Sequence, residues 1–169
     1  MEIQSLKKRV RYLLSFFIVA LVVSGITAVP LKWEIDFLQS AMGRGTWVVS
    51  LFPALGDWIA FVHQGITETE QRFQLIAYGT DWLAFGHIVI AIAFGGTWRD
   101  PGKNIWIVEF GMIACVLVIP TALIFGEIRG IPLWWRLLDC SFGIFGLIPL
   151  WISRSDIRRI IALESGVKQ

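Results

Sequence analysis

Asp81, His87, Glu109, Arg136 and Asp139 all stand inside long apolar runs of this chain. An ionisable side chain in hydrocarbon costs at least about 2.5–3.5 kcal/mol on insertion scales, so such residues are paired, enclosed by protein, or functional. Arg136 and Asp139 are three apart and share a helical face, which lets them pair within one helix. At 1.5 Å per residue, Asp81 reaches a similar depth on another segment, with Tyr78 one turn above it. One guanidinium has donors enough for two carboxylates, so an Asp81–Arg136–Asp139 cluster is expected. Such a cluster either clamps helix register or forms a polar pocket for a small polar or anionic group. In the pocket reading Arg136 contacts the anion, Asp81 and Asp139 orient it, and Trp47 and Trp58 cover it.

His87 and Glu109 form a second constellation, their depths differing by about one helical turn. A His–Glu pair inside a membrane either relays protons or satisfies itself as a buried hydrogen bond. A metal site would want further ligands, and none lies nearby in sequence. No metal or cofactor is expected. The chain has no Gly-rich phosphate loop, no HExxH and no GxSxG. Ser15, Ser24 and Ser141 have no adjacent histidine to activate them. Catalysis is therefore not indicated by any motif.

The elements that carry these residues follow from composition. Of 169 residues, 56% are hydrophobic and 17% charged, and mean hydropathy is +0.67. A soluble domain is nearer 45–50% apolar and about 25% charged. A helix needs roughly 20 apolar residues to cross about 30 Å of hydrocarbon. Spans are expected at about 12–31, 72–96, 104–126 and 131–153. The first follows Lys7, Lys8, Arg9 and Arg11 as a signal peptide would, but it is long and lacks a convincing cleavage site, so it reads as a retained helix. Thr67 and Glu70 fit a capping box that would start the second span early. Pro120 should kink the third, and Pro132 suits the first turn of the fourth. Gly79 and Gly86, seven apart, suggest a helix-contact stripe. Cys115 and Cys140 belong to no CxxC and read as reduced small residues facing lipid or core.

Orientation follows from lysine and arginine placement. With the N-terminus inside, the inner side holds Lys7, Lys8, Arg9, Arg11, Arg99, Lys103, Arg154, Arg158, Arg159 and Lys168. The outer side holds Lys32, Arg44, Arg72 and Arg129. Both termini are thus expected in the cytoplasm, the membrane being a plasma (inner) membrane. The tail 154–169 reads as a surface amphipathic helix with Ile157, Ile160, Ile161 and Leu163 toward lipid.

Residues 32–71 are long for a bundle connection and too apolar to stay in water. Two short helices are expected, at about 33–41 and 47–63, separated by Gly43-Arg44-Gly45 and with a break near Pro53 and Gly56. Trp47, Leu51, Leu55, Trp58 and Val62 would make one stripe. The expected fold class is therefore an all-α integral membrane protein, a four-transmembrane-helix bundle with a Trp-rich interfacial loop between its first two spans, forming a single membrane domain. The net charge of +2 gives no argument for nucleic acid. The expected function is ligand binding or an accessory role, with the lipid bilayer, a small polar or anionic ligand, and a protein partner or a second copy as partners. The rivals are an intramembrane enzyme or proton-coupled carrier using His87 and Glu109, and a structural subunit of a larger complex.

Overall fold

In the computed structural model, which describes residues 2–43 and 45–166, the chain is all-helical. Helix α1 (Glu2–Thr27) is followed by α2 (Leu31–Met42), α3 (Trp47–Leu51) and α4 (Pro53–Arg72). Then come α5 (Gln74–Arg99), α6 (Ile105–Ile128) and α7 (Leu133–Gly166). Helices α1, α5, α6 and α7 are each long and apolar enough to cross a membrane. Arg44 and Lys168, counted in the charge balance above, lie outside the described residues.

The chain divides into two compact units, Met1–Ala20 with Ile90–Gln169, and Leu21–Val89. The first, the terminal unit, has α6 against α7 at its centre. The inward face of α7 repeats every three or four residues through Cys140, Gly143, Gly146, Leu150, Ser153, Ile157 and Ile160. Close approach depends on the glycines. A Cβ on Gly143 would overlap the Cys115 carbonyl oxygen, and one on Gly111 would sit 2.6 Å from Phe94. Both cysteines are buried and unbridged. The two helices are joined by a Schellman turn. Gly130 has φ +69°, Ile131 N–H bonds to Gly126 O at 2.8 Å, and Gly130 N–H bonds to Glu127 O at 3.0 Å. Only glycine takes that conformation without strain.

Several expectations are corrected here. Pro132 precedes α7, and its carbonyl accepts the first helical bonds from Trp135 and Arg136. Helix α7 does not stop at Ser153 but runs on through the tail, with Pro149 inside it. Ile157 and Ile160, expected against lipid, are fully buried in the terminal unit. Pro120 stands inside α6, as its place in the third span implied.

The loop unit is organised by α2, α3 and α4. Ile35 and Ile59 are buried where α2 packs on α4. The α2–α3 turn uses Gly45 at φ +93°. The expected break near Pro53 falls at Phe52, because a residue before proline is pushed out of the helical region. Gly56 breaks nothing and instead gives Val49 room to pack. The break leaves Trp47 and Leu51 exposed on α3, so the anticipated stripe is not one continuous face. Thr67 and Glu70 cap no helix start either, since both lie in the last turns of α4, and α5 begins at Gln74. Asp36 on α2 accepts bonds from Lys32 Nζ at 2.6 Å and from His63 Nε2 of α4 at 2.8 Å.

The Lys32 ammonium, then the His63 ring, hold the Asp36 carboxyl below the usual carboxylate range. A depressed carboxyl lends stability above its unfolded value and loses it as pH falls through its folded value. The α2–α4 contact should therefore be intact at neutral pH and loosen on acidification into and below the carboxylate range. Amide hydrogen exchange in α2 as a function of pH checks this, and exchange that is flat across that range in wild type but rises in Asp36→Asn at neutral pH separates charge from packing.

Candidate functional site

The break at Phe73 opens a cavity of about 560 Å³ in the loop unit. Phe73 N–H still bonds to Thr69 O at 2.7 Å, and its own carbonyl accepts Ile76 N–H at 2.8 Å, so α4 and α5 meet at a defined bend. The last turns of α4 supply Gly65, Ile66, Thr69 and Glu70, and the first turns of α5 supply Gln74, Ile76, Ala77, Tyr78, Thr80 and Asp81. Val29, Leu31 and Lys32 complete the lining. The size suits a small organic ligand, and the wall is part apolar and part polar.

Its electrostatics are lopsided. Among the described residues neither Glu70 nor Asp81 has an ion-pair or hydrogen-bond partner. The one amine on the wall, Lys32, is bonded to Asp36. Thr80 is satisfied by its own helix, donating to Ala77 O at 2.6 Å. Tyr78 and Trp82 meet edge to face with centroids 6.0 Å apart, which fixes the Tyr78 ring at the cavity margin. Two unpaired carboxylates facing one cavity repel anions and attract cations or hydroxyl-bearing groups.

The other residues singled out in sequence fall elsewhere. Arg136 does not pair with Asp139 in its own helix. It forms an ion pair with Glu127 and donates to Leu123 O at 3.3 Å. The reason is steric: Gly126 has no side chain, and the Arg136 stem lies in that gap, where a Cβ would overlap it. This aims the guanidinium back at the end of α6. Asp139 is half-buried, with no ion pair or hydrogen bond among the described residues. Glu109 Oε1 accepts from Arg154 Nε at 2.7 Å and Arg158 Nη2 at 3.2 Å within the terminal unit.

His87, in the loop unit, bonds through Nδ1 to Leu83 O at 2.8 Å. A carbonyl can only accept, so Nδ1 is the donor in this bond, and among the described residues Nε2 has no hydrogen-bond partner. The ring root lies against Gly25, whose Cβ would stand 3.0 Å from that of His87. Trp47 is 75% exposed at the start of α3, and Trp58 stacks on Phe61 with centroids 5.6 Å apart. Neither lines the cavity. Among the described residues no cluster of His, Cys, Asp and Glu could hold a metal ion.

Comparison with known proteins adds no relative. No protein family, curated protein or solved structure matches this chain.

Acids that the sequence reading passed over, Glu2, Asp156 and Glu164, pair in the terminal unit with basic residues it had counted only toward orientation. Asp156, 4% exposed, takes a two-point bond from Arg9, whose Nε stands 2.6 Å from Oδ2. Lys7 reaches Glu164 at 2.7 Å, and Arg159 reaches Glu2. A signal was present: Ser153, Asp156, Ile157 and Ile160 are spaced as one buried helical face, and a carboxylate on such a face demands a partner.

Proposed function

We propose that this chain is a multi-pass membrane protein that binds a small amphiphile with a cationic or hydroxyl-rich head in the cavity between α4 and α5. The membrane reading rests on uncovered apolar surface: in the most apolar stretch of α5 only 11% of residues are buried within the molecule. Surface of that kind is stable in lipid and not in water. The positive-inside bias supports both termini in the cytoplasm, and the cavity, near the outer end of α5, would then face the outer side of the membrane. The single observation that carries the ligand reading is the pair of unpartnered carboxylates, Glu70 and Asp81, on a partly apolar wall. An alkylammonium head would meet those carboxylates, and its chain would follow Val29, Ile66 and Ile76. This replaces the anion-binding role drawn from sequence, since Arg136 is committed to Glu127.

Calorimetric titration of purified protein with decyltrimethylammonium and with decyl sulfate tests the proposal. The ammonium probe should bind saturably and the sulfate weakly. Asp81→Asn should weaken the ammonium by about tenfold, the scale of one lost interaction with a charged group. Tighter binding of the sulfate, or an Asp81→Asn variant equal to wild type, would sink the reading.

A further inference from the structure

A second cavity, of about 590 Å³, lies wholly in the terminal unit, bounded by α1, the α5–α6 turn and the last turns of α7. Its polar wall holds Lys7, Arg11, Arg99 and Lys103 against Asp100 and Glu164. The acids are already used. Lys7 bonds to Glu164 at 2.7 Å, and Lys103 to Asp100 at 3.2 Å. Lys103, through its backbone N–H and then its ammonium, holds the Asp100 carboxyl below the usual range, so Asp100 stays charged and committed.

The two arginines remain. Arg99 has no ion-pair or hydrogen-bond partner among the described residues. Arg11 has its guanidinium 5.3 Å from the centroid of the Trp98 ring, a cation–π contact that orients the group without using its N–H donors. The ring is itself held, because Trp98 Nε1 donates to Ser15 Oγ at 3.0 Å. Two guanidiniums with open donors on one concave wall are a phosphate-binding arrangement, since the planar fork matches phosphate oxygens in pairs. Ile161, 37% exposed, stands on the neighbouring wall and gives an open apolar surface beside the charge.

We propose that this cavity binds a phosphate group, held by Arg11 and Arg99, and that its source is the headgroup of an anionic phospholipid. The apolar wall favours the lipid over free phosphate: the start of an acyl chain can lie along the exposed side of Ile161, and inorganic phosphate has nothing to place there. Basic pockets at helix ends on one side of a bilayer are the setting in which such headgroups are bound.

The test is calorimetric titration of the full chain in uncharged detergent with dioctanoyl phosphatidylglycerol, dioctanoyl phosphatidylcholine and inorganic phosphate at matched ionic strength. Phosphatidylglycerol should bind saturably and more tightly than phosphatidylcholine. Arg99→Gln should weaken it about fivefold, the scale of one basic residue at an anionic surface. Lys8→Gln should leave it unchanged, because Lys8 is exposed and off the cavity wall. Arg99 has no partner to lose, so its variant should keep the thermal midpoint of wild type, and Arg11→Gln provides the second arm. Binding of inorganic phosphate as tight as that of the lipid would keep the phosphate site and assign its source to the free ion. Equal binding of the two lipids, or equal losses in Arg99→Gln and Lys8→Gln, would overturn the proposal.

Discussion

Gly143→Ala should lower stability by about 1–3 kcal/mol, the usual cost of forcing volume into a packed interface. The added methyl would overlap the Cys115 carbonyl oxygen. Backbone cannot swing aside as a side-chain tip can, so α6 and α7 would have to move apart. Gly111→Ala should cost less, because its nearest atoms are the ends of the Phe94 ring and the Leu150 side chain. Gly79→Ala and Gly86→Ala should be neutral or slightly favourable, as a Cβ at either meets nothing within 4 Å and alanine favours helix. Unfolding in mixed micelles with increasing denaturing detergent measures all four variants. A neutral Gly143→Ala would contradict the α6–α7 packing, and a costly Gly79→Ala would restore the contact stripe expected from sequence.

Arg9→Leu should be the most damaging single charge removal in the chain. Its partner, Asp156, sits among Ser153, Ile157 and Ile160, all fully buried. Without the guanidinium the carboxylate keeps its burial and loses both bonds, and a buried ion stripped of its partner is far costlier than an absent pair. The discriminating variant is the double substitution Arg9→Leu with Asp156→Leu. It removes both charges and should recover most of the lost thermal midpoint. Arg159→Leu, which breaks the exposed pair with Glu2, should change the midpoint little, as exposed ion pairs generally contribute little. Equal losses in Arg9→Leu and Arg159→Leu would show that the Arg9–Asp156 pair is not special.

The sequence made the four apolar helices legible because crossing length and hydropathy are properties of contiguous residues. The turn at Gly45 and the break near Pro53 were legible for the same reason, since both act locally, whereas the Gly130 turn was not picked out. Side-chain partners were not. Rise per residue places a group along a helix axis but says nothing of rotation about it, and rotation decided Arg136. It shares a depth with Asp139, yet the gap at Gly126 turns it to Glu127. The tail was misread for a related reason. Arg158, Arg159 and the flanking isoleucines are amphipathic on a bilayer surface or against a neighbouring helix, and only the partner, here in the terminal unit, distinguishes the two. Of the candidate site, Asp81 and Tyr78 line the cavity, whereas Glu70, assigned to a helix cap, proved to be the second carboxylate.

The ion pairs between α1 and α7 also impose an order in time. Arg9 and Asp156 are 147 residues apart, and Lys7 and Glu164 are 157 apart. At about 5–20 residues per second of synthesis, Arg9 waits roughly 7–30 s for its partner to be made. Helices α6 and α7, adjacent in the chain, can form their hairpin almost as soon as both exist. The first helix made is thus among the last to be secured, and any chain cut short before Asp156 leaves the earliest charges permanently unmatched. Closure of the terminal unit therefore reports that translation has reached the last helix.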